Sequence, residues 1–242
     1  MNIYTCSHKG LVRSSNQDAF MTGTFDDGSV WAVVCDGMGG ANGGNVASRL
    51  GVDHFSAALK AGYRAGMSET SVRNLLNSAV SAANIRVFDK SRESEELSGM
   101  GTTIIAVLII GVTAYFIHAG DSRGYAFTNG KLEQITRDHS IVQSMIENGK
   151  LSPEQARFHP RKNVITRALG VEESVEPEFN VYGMSYGDSL LLCTDGLTNY
   201  VDVQSIEKLL SMKDNNCAEA LVQEANRNGG GDNITAVVLE NI

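Results

Sequence analysis

The sequence predicts a layered α+β fold, on three observations: apolar β-branched runs cluster in two blocks, helical patterns come in pairs, and the two kinds of block follow one another. Alternating βαβ units would interleave strand and helix singly, so separated runs point to sheets covered by helices. The 242 residues carry 42% hydrophobic and 20% charged residues with only 3 prolines. That is a globular balance, and no stretch of linker composition divides the chain, so residues 1–242 are expected to form a single domain.

Each element follows from its local pattern. VWAVVC (30–35) is a short apolar β-branched run that reads as a buried strand ending at Asp36-Gly37, followed by a glycine-rich loop. From Ala41 to Gly62 and from Ser68 to Ser91 the periodicity turns helical, with Val72, Leu75, Leu76, Ala79, Ala82 and Ala83 on one face. Residues 102–135 read as an antiparallel meander, TTIIAVLII, TAYFIHA, RGYAF and KLEQI, punctuated by Gly111, Gly120-Asp121 and Asn129-Gly130. A helix over Ser140–Asn148 leads into the polar stretch SPEQARFHPRKN, an exposed excursion. SLLLCTDG (189–196) is a second buried strand ending in Asp-Gly; amphipathic helices follow around 202–212 and 215–227, and NITAVVLE closes as a strand.

Composition excludes several functions. A net charge of -8 with no Lys/Arg cluster disfavours a nucleic-acid partner. No apolar run reaches the roughly 18 residues of a membrane span, and the N-terminus MNIYTCSHKG lacks a signal-like apolar centre, so a cytoplasmic location away from membranes is expected. Cys6, Cys35, Cys193 and Cys217 form no CxxC pair, so reduced thiols are expected. Cys193 shares a strand face with Asp195 by the period of two, and Cys35 points away from Asp36.

Four sites repeat one arrangement, an apolar strand abutting an aspartate beside Gly or Asn: Asp36-Gly37, Gly120-Asp121, Asp195-Gly196 and Gly231-Asp232-Asn233. One Asp-Gly is ordinarily a turn. Four at strand ends imply carboxylates brought together, which costs several kcal/mol per charge unless cations intervene. Oxygen ligands without histidine or thiolate partners select magnesium or manganese, and His8, His54, His118, His139 and His159 are scattered without ligand spacing. The segment DGMGGANGG fits neither a P-loop nor a dinucleotide fingerprint. Arg13 in RSSNQD is the candidate phosphate grip, because guanidinium matches phosphate oxygens in bidentate fashion. A cysteine-nucleophile phosphatase needs Arg six places after Cys, where this chain has Val12, Ala41, Asn199 and Gln223. Two-metal hydrolysis of phosphate esters remains.

The segments RSSNQDAF, VVCDGMGG, GMGTT, HAGDSRGYAF, LEQITRDHS, NVITRALG, LLCTDGLTN and GGDNITAVV together resemble the metal-dependent Ser/Thr protein phosphatases of the protein phosphatase 2C family, especially compact bacterial members. The resemblance runs from about residue 9 to residue 239. It implies a four-layer α-β-β-α sandwich of two antiparallel sheets flanked by helices, with metals at one end and a flap at about 141–170 that influences substrate choice. It implies that Asp36 bridges two Mn²⁺ or Mg²⁺ ions, that the Gly37 carbonyl binds one, and that Asp195 and Asp232 complete the other. Asp18 acts through coordinated water, and Asp121 with Asp195 is the place for a third, weaker ion. Arg13 and the metals stabilise the transferring phosphoryl group while a hydroxide shared by the two ions attacks phosphorus. The expected activity is phosphoserine and phosphothreonine hydrolysis in proteins by a monomer that reverses a bacterial Ser/Thr kinase; the alternative is a catalytically silent phosphoprotein-binding module of the same fold. Two departures stand out. Met38 occupies the place of the histidine in DGHGG and cannot donate a proton, leaving a metal-held water or His159 of the flap as candidate acid. Asn45 stands where relatives commonly carry Glu.

Overall fold

The computed structural model describes residues 1–212 and 216–242, the side chains of residues 41 and 42 excepted. Strands β1 (Asn2–His8), β2 (Asp18–Thr24) and β3 (Val30–Met38) lead into helices α1 (Gly40–Gly62) and α2 (Glu69–Ser91). Strands β4 (Gly101–Thr102), β5 (Ile104–Ile110), β6 (Thr113–Ala119), β7 (Arg123–Thr128) and β8 (Lys131–Gln134) come next, then α3 (Ile141–Glu147) and α4 (Pro153–Arg157). The chain ends with β9 (Glu178–Gly183), β10 (Ser189–Cys193), α5 (Asp195–Thr198), α6 (Val203–Ser211), α7 (Cys217–Arg227) and β11 (Ile234–Glu240). Position 215, where the sequence reading begins the last helix, lies outside the described residues.

Two antiparallel sheets form, one in the order β1-β11-β10-β7-β8 and the other in the order β2-β3-β5-β6-β9, with β4 paired to β3. The strand period of two sorts the apolar residues between three interiors. Val30, Ala32 and Val34 of β3, Ile105, Val107 and Ile109 of β5, and Leu190, Leu192, Val237 and Leu239 of β10 and β11 meet between the sheets. The alternate residues Trp31, Val33 and Cys35 pack outward under α1 and α2 against Phe55, Leu59 and Leu76. Leu191, Cys193, Ala236 and Val238 pack outward under α6 and α7 against Ile206 and Leu221. The result is the expected α-β-β-α sandwich, and burial of both faces is why β3, β5 and β10 read as unbroken apolar runs. Along α2 the buried stripe is Val72, Leu76, Ala79, Val80, Ala83 and Val87, with Ser68 capping the first turn by accepting from the Ser71 amide.

The structure departs from the sequence reading in several places. β3 does not stop at Asp36-Gly37 but runs to Met38, because Gly37 and Met38 find new partners in Thr102 and Gly101 of β4. The glycine-rich segment is therefore a strand end and the first turn of α1 joined at Gly39, whose φ of 113° suits only glycine. The meander is split: β5 and β6 pair in one sheet, β7 and β8 in the other, and Gly120-Asp121-Ser122 crosses between them. Asp195 begins α5 rather than a turn. Three strands are added to those located individually in the sequence, β1, β2 and β9, which lie at sheet edges and are mostly half-buried, so their apolar signal is weak. The excursion before Val164 contains the short helix α4, with a Ser152–Gln155 capping box. Among the described residues no helix is long and apolar enough to cross a membrane.

Candidate active site

The antiparallel pairing brings the acidic ends together. Asp18, the first residue of β2, lies directly opposite Asp36 on β3. By alternation Asp36 continues the inward series of Val30, Ala32 and Val34, so its carboxyl is aimed between the sheets. In the other sheet β10 ends where β11 begins, which sets Asp195 and Asp232 side by side at the same end of the sandwich. The β6–β7 crossover delivers Asp121 to the same place. Asp36, Asp121, Asp195 and Asp232 line one cleft of about 470 Å³ together with Arg13, Gly37, Met38, Thr103, Asn163 and Ile165. Asp18 lies behind them, 8% exposed.

Backbone and hydroxyl donors position these groups. Asp18 Oδ2 accepts from Thr235 Oγ1 at 2.6 Å and from Thr194 Oγ1 at 2.9 Å, whereas Asp18 Oδ1 is buried with no hydrogen-bond partner. The Asp36 amide donates to Thr103 Oγ1 at 3.0 Å, and the Asp36 carbonyl accepts from Thr102 Oγ1 at 2.8 Å. Asn199 Nδ2 donates to Asp195 Oδ2 at 2.9 Å. Asn233 ties the β1–β2 loop to the start of β11 by donating to the carbonyls of Lys9 and Ser15 and accepting from the Gln17 amide. Arg13 Nη2 donates to Asp232 Oδ2 at 2.9 Å from the rim, its side chain 53% exposed. Thr194, Thr235, Asn199 and Thr103 were not singled out in the sequence; the first three stand close to an Asp motif in the chain and Thr103 is remote from all of them, and only the folded structure shows what each touches.

Electrostatics reveal what the cleft lacks. Burial, and then the charge of neighbouring carboxylates, pushes Asp36 well above the ordinary aspartate range. The same causes raise Asp195, while the Arg123 guanidinium partly opposes them. Burial raises Asp121 to about 8, with Asp195 the next contributor. Asp18 rises to about 7 by burial despite its two hydroxyl donors. Carboxylates arranged this way are short of positive charge. An orphaned buried oxygen on Asp18 and an all-oxygen donor set fit a hard divalent cation. Gly37 fits as well: a Cβ there would lie 2.0 Å from the Gly44 carbonyl oxygen, so the strand can meet the first turn of α1 only without a side chain.

The remaining candidates separate from this group. His159 lies in the 141–170 segment with Nδ1 accepting from the Arg161 amide, and it is not among the residues lining the cleft; Asn163 and Ile165 are the residues of that segment that reach it. Asn45 accepts from Arg49 within α1. Cys193 turns from the cleft into the helix-facing core, and Cys35 does likewise on the other sheet. A second titratable group escaped the sequence pattern because its members are far apart in the chain: His118, His139 and Glu178 bring ligand atoms within 4.8 Å of one another. The two rings stack with centroids 4.7 Å apart at 10°. Stacked rings direct their in-plane nitrogens side by side rather than at one centre, which suits a hydrogen-bonded support better than an ion. His118 Nε2 lies 2.8 Å from the Arg137 carbonyl, and His139 Nδ1 accepts from the Gly120 amide at 3.2 Å, joining the segment just before α3 to the crossover that carries Asp121.

The family model described as protein phosphatase 2C matches residues 6–224. The chain belongs to the protein phosphatase 2C family. It is an enzyme of that family, a phosphoprotein phosphatase. It is 37% identical over 236 residues to the serine/threonine phosphatase stp of Listeria monocytogenes, a match covering 96% of this chain and 92% of that one. The Streptococcus agalactiae serine/threonine phosphatase structure superposes with a TM-score of 0.91 at 33% identity, covering 99% of both chains. The catalytic domain of the phosphatase PstP, solved in complex with two manganese ions, superposes with a TM-score of 0.85 at 34% identity over 98% of this chain and 96% of that one. Fold and family thus agree with the protein phosphatase 2C resemblance drawn from the sequence.

Proposed function

We propose that this chain hydrolyses phosphoserine and phosphothreonine in proteins, opposing a Ser/Thr kinase, with Mn²⁺ or Mg²⁺ held by Asp36, Asp195, Asp232 and the Gly37 carbonyl. Asp18 supports that set from behind, and Asp121 with Asp195 forms the weaker third position. The observation that carries this reading is the convergence of five carboxylates on one end of the sandwich, four of them raised by burial and by one another. A pair of divalent cations bound there would supply Lewis-acid activation of water and neutralise the phosphoryl charge.

The chain's own residues do the rest. Arg13 spends one nitrogen on Asp232 and keeps its other N–H groups for phosphoryl oxygens, where a planar donor fork is worth most as charge develops. Thr194 and Thr235 fix the Asp18 carboxylate, and Asn199 fixes that of Asp195. Met38 lines the cleft and has no proton to give, so protonation of the leaving serine or threonine oxygen falls to water or to another group that reaches the cleft. The test is phosphate release from a phosphothreonine peptide with and without manganese, in the parent and in Asp36→Ala. Metal-dependent release lost in the variant supports the reading. Equal release after chelation, or full activity of Asp36→Ala, overturns it.

A further inference from the structure

The cleft is open on the side of the flap. Through the shared walls Asp121, Asn163 and Asp195 it continues into a groove of about 790 Å³ between the α3–α4 segment and α5–α6. The lining changes character there. Beside its carboxylates the groove is lined by Val142, Ile146, Ala156, Phe158, Val201 and Val203. Phe158 is 87% exposed and Val203 49% exposed, one on each side. Large exposed apolar side chains in the lining of one groove represent burial still to be gained when something enters.

Polar links span the same gap. Lys162 Nζ of the flap donates to Asn199 Oδ1 at 3.4 Å, and Asn199 in turn holds Asp195. Hydrogen bonds from Ser205 hold the carboxyl of Asp202, the N-cap of α6, below the ordinary range, and the charge of Arg157 on α4 adds a smaller effect across the groove. Arg123 on the groove wall is held by Asp138 in a bidentate pair. Arg123 is thus already paired within the wall. An apolar side chain entering would cover Phe158 and Val203, which are otherwise left to solvent.

We propose that this groove receives an apolar side chain of the substrate polypeptide, from a residue flanking the phosphorylated serine or threonine. The proposal rests on the phosphatase reading above. A phosphoryl group seated in the cleft belongs to a chain that must leave it in two directions at about 3.3 Å per residue. One exit is continuous with the groove, whose volume falls within the roughly 300–1,000 Å³ of pockets that enclose organic groups. Selection therefore acts on an apolar flank, at a fixed distance from the phosphorylated residue.

The experiment measures kcat/KM with manganese on phosphothreonine peptides in which a single leucine is moved along an otherwise serine and glycine flank. p-Nitrophenyl phosphate, which has no flank, runs in parallel. Leucine at one position is expected to raise kcat/KM about tenfold over serine there, the gain of burying part of an aliphatic side chain. In Val203→Asp and in Phe158→Ser, separately, that ratio is expected to fall towards one. A parent enzyme that turns over p-nitrophenyl phosphate but shows no leucine preference at any position overturns the groove assignment alone. So does a preference that survives both substitutions. Concentration-dependent dimerisation of the parent that both variants abolish would give the groove to a second copy instead. No turnover of any ester defeats the phosphatase reading, and the groove assignment falls with it.

Discussion

Replacing Asp18 with asparagine should make the metal-free protein more stable at pH 8 and less responsive to metal. Asp18 is 8% exposed, one of its oxygens has no partner, and burial raises its pKa from an ordinary 3.8 to about 7. A shift of that size corresponds to at most about 4 kcal/mol of cost when the carboxylate ionises in the folded state. Its sign is that of a raised acid. Below about pH 4 the group is protonated folded and unfolded, so there is no cost; the cost grows as pH rises and is complete above about pH 7. Asparagine removes it but weakens the hydrogen bonds from Thr194 and Thr235, which returns about half. The net gain of about 2 kcal/mol should raise Tm by about 4–8 °C for a chain of this length. Thermal unfolding in chelator at pH 5 and pH 8 measures it, and repeating with saturating manganese should reverse the order of the two proteins. An asparagine variant that melts below the parent in chelator at pH 8 would refute the view that this carboxylate is held at a cost for a cation.

Arg13→Ala should reduce kcat/KM on a phosphopeptide about a hundredfold, because the lost donors face the transferring group. Urea unfolding should show a change of only about 0.5 kcal/mol, since the ion pair to Asp232 is half exposed. Gly37→Ala puts a Cβ 2.0 Å from the Gly44 carbonyl oxygen, backbone that cannot yield cheaply. A loss of about 3 kcal/mol or more in urea unfolding is expected, and an unchanged midpoint would remove the close approach of β3 and α1 from the account. Burial, then the neighbouring His118, lowers His139 to about 4, so the unfolded chain takes up that proton first. Its contribution is therefore full above about pH 6.5 and lost as pH falls towards 4, up to about 3 kcal/mol, and His139→Gln should flatten the fall of unfolding free energy across that window. His159→Ala should leave the dependence of rate on leaving-group pKa unchanged across aryl phosphates, since that ring is turned to the flap's own backbone; a steeper dependence would make it the acid.

The sequence by itself determined the layers and pointed to the chemistry proposed for them. Apolar runs buried on both faces, as at Val30–Cys35 and Ser189–Cys193, have few alternatives to a central strand, and paired amphipathic helices must cover them. Four Asp motifs at strand ends pointed to a cation site because carboxylates are costly to gather without one, and the structure does bring those carboxylates to one cleft. Tertiary structure decided what depends on partners distant in the chain. Whether Asp36-Gly37 is a turn or a strand depends on β4, more than sixty residues later, which supplies hydrogen bonds that local sequence cannot reveal. Gly120-Asp121 resembles a hairpin turn, yet it crosses between sheets, and that crossing is what brings Asp121 to Asp195. The threonine donors to Asp18, the stacked pair His118 and His139, and the apolar groove beneath the flap all join residues that share no periodicity. Periodicity records which face a side chain occupies; only the packing of one sheet on the other sets what that face meets.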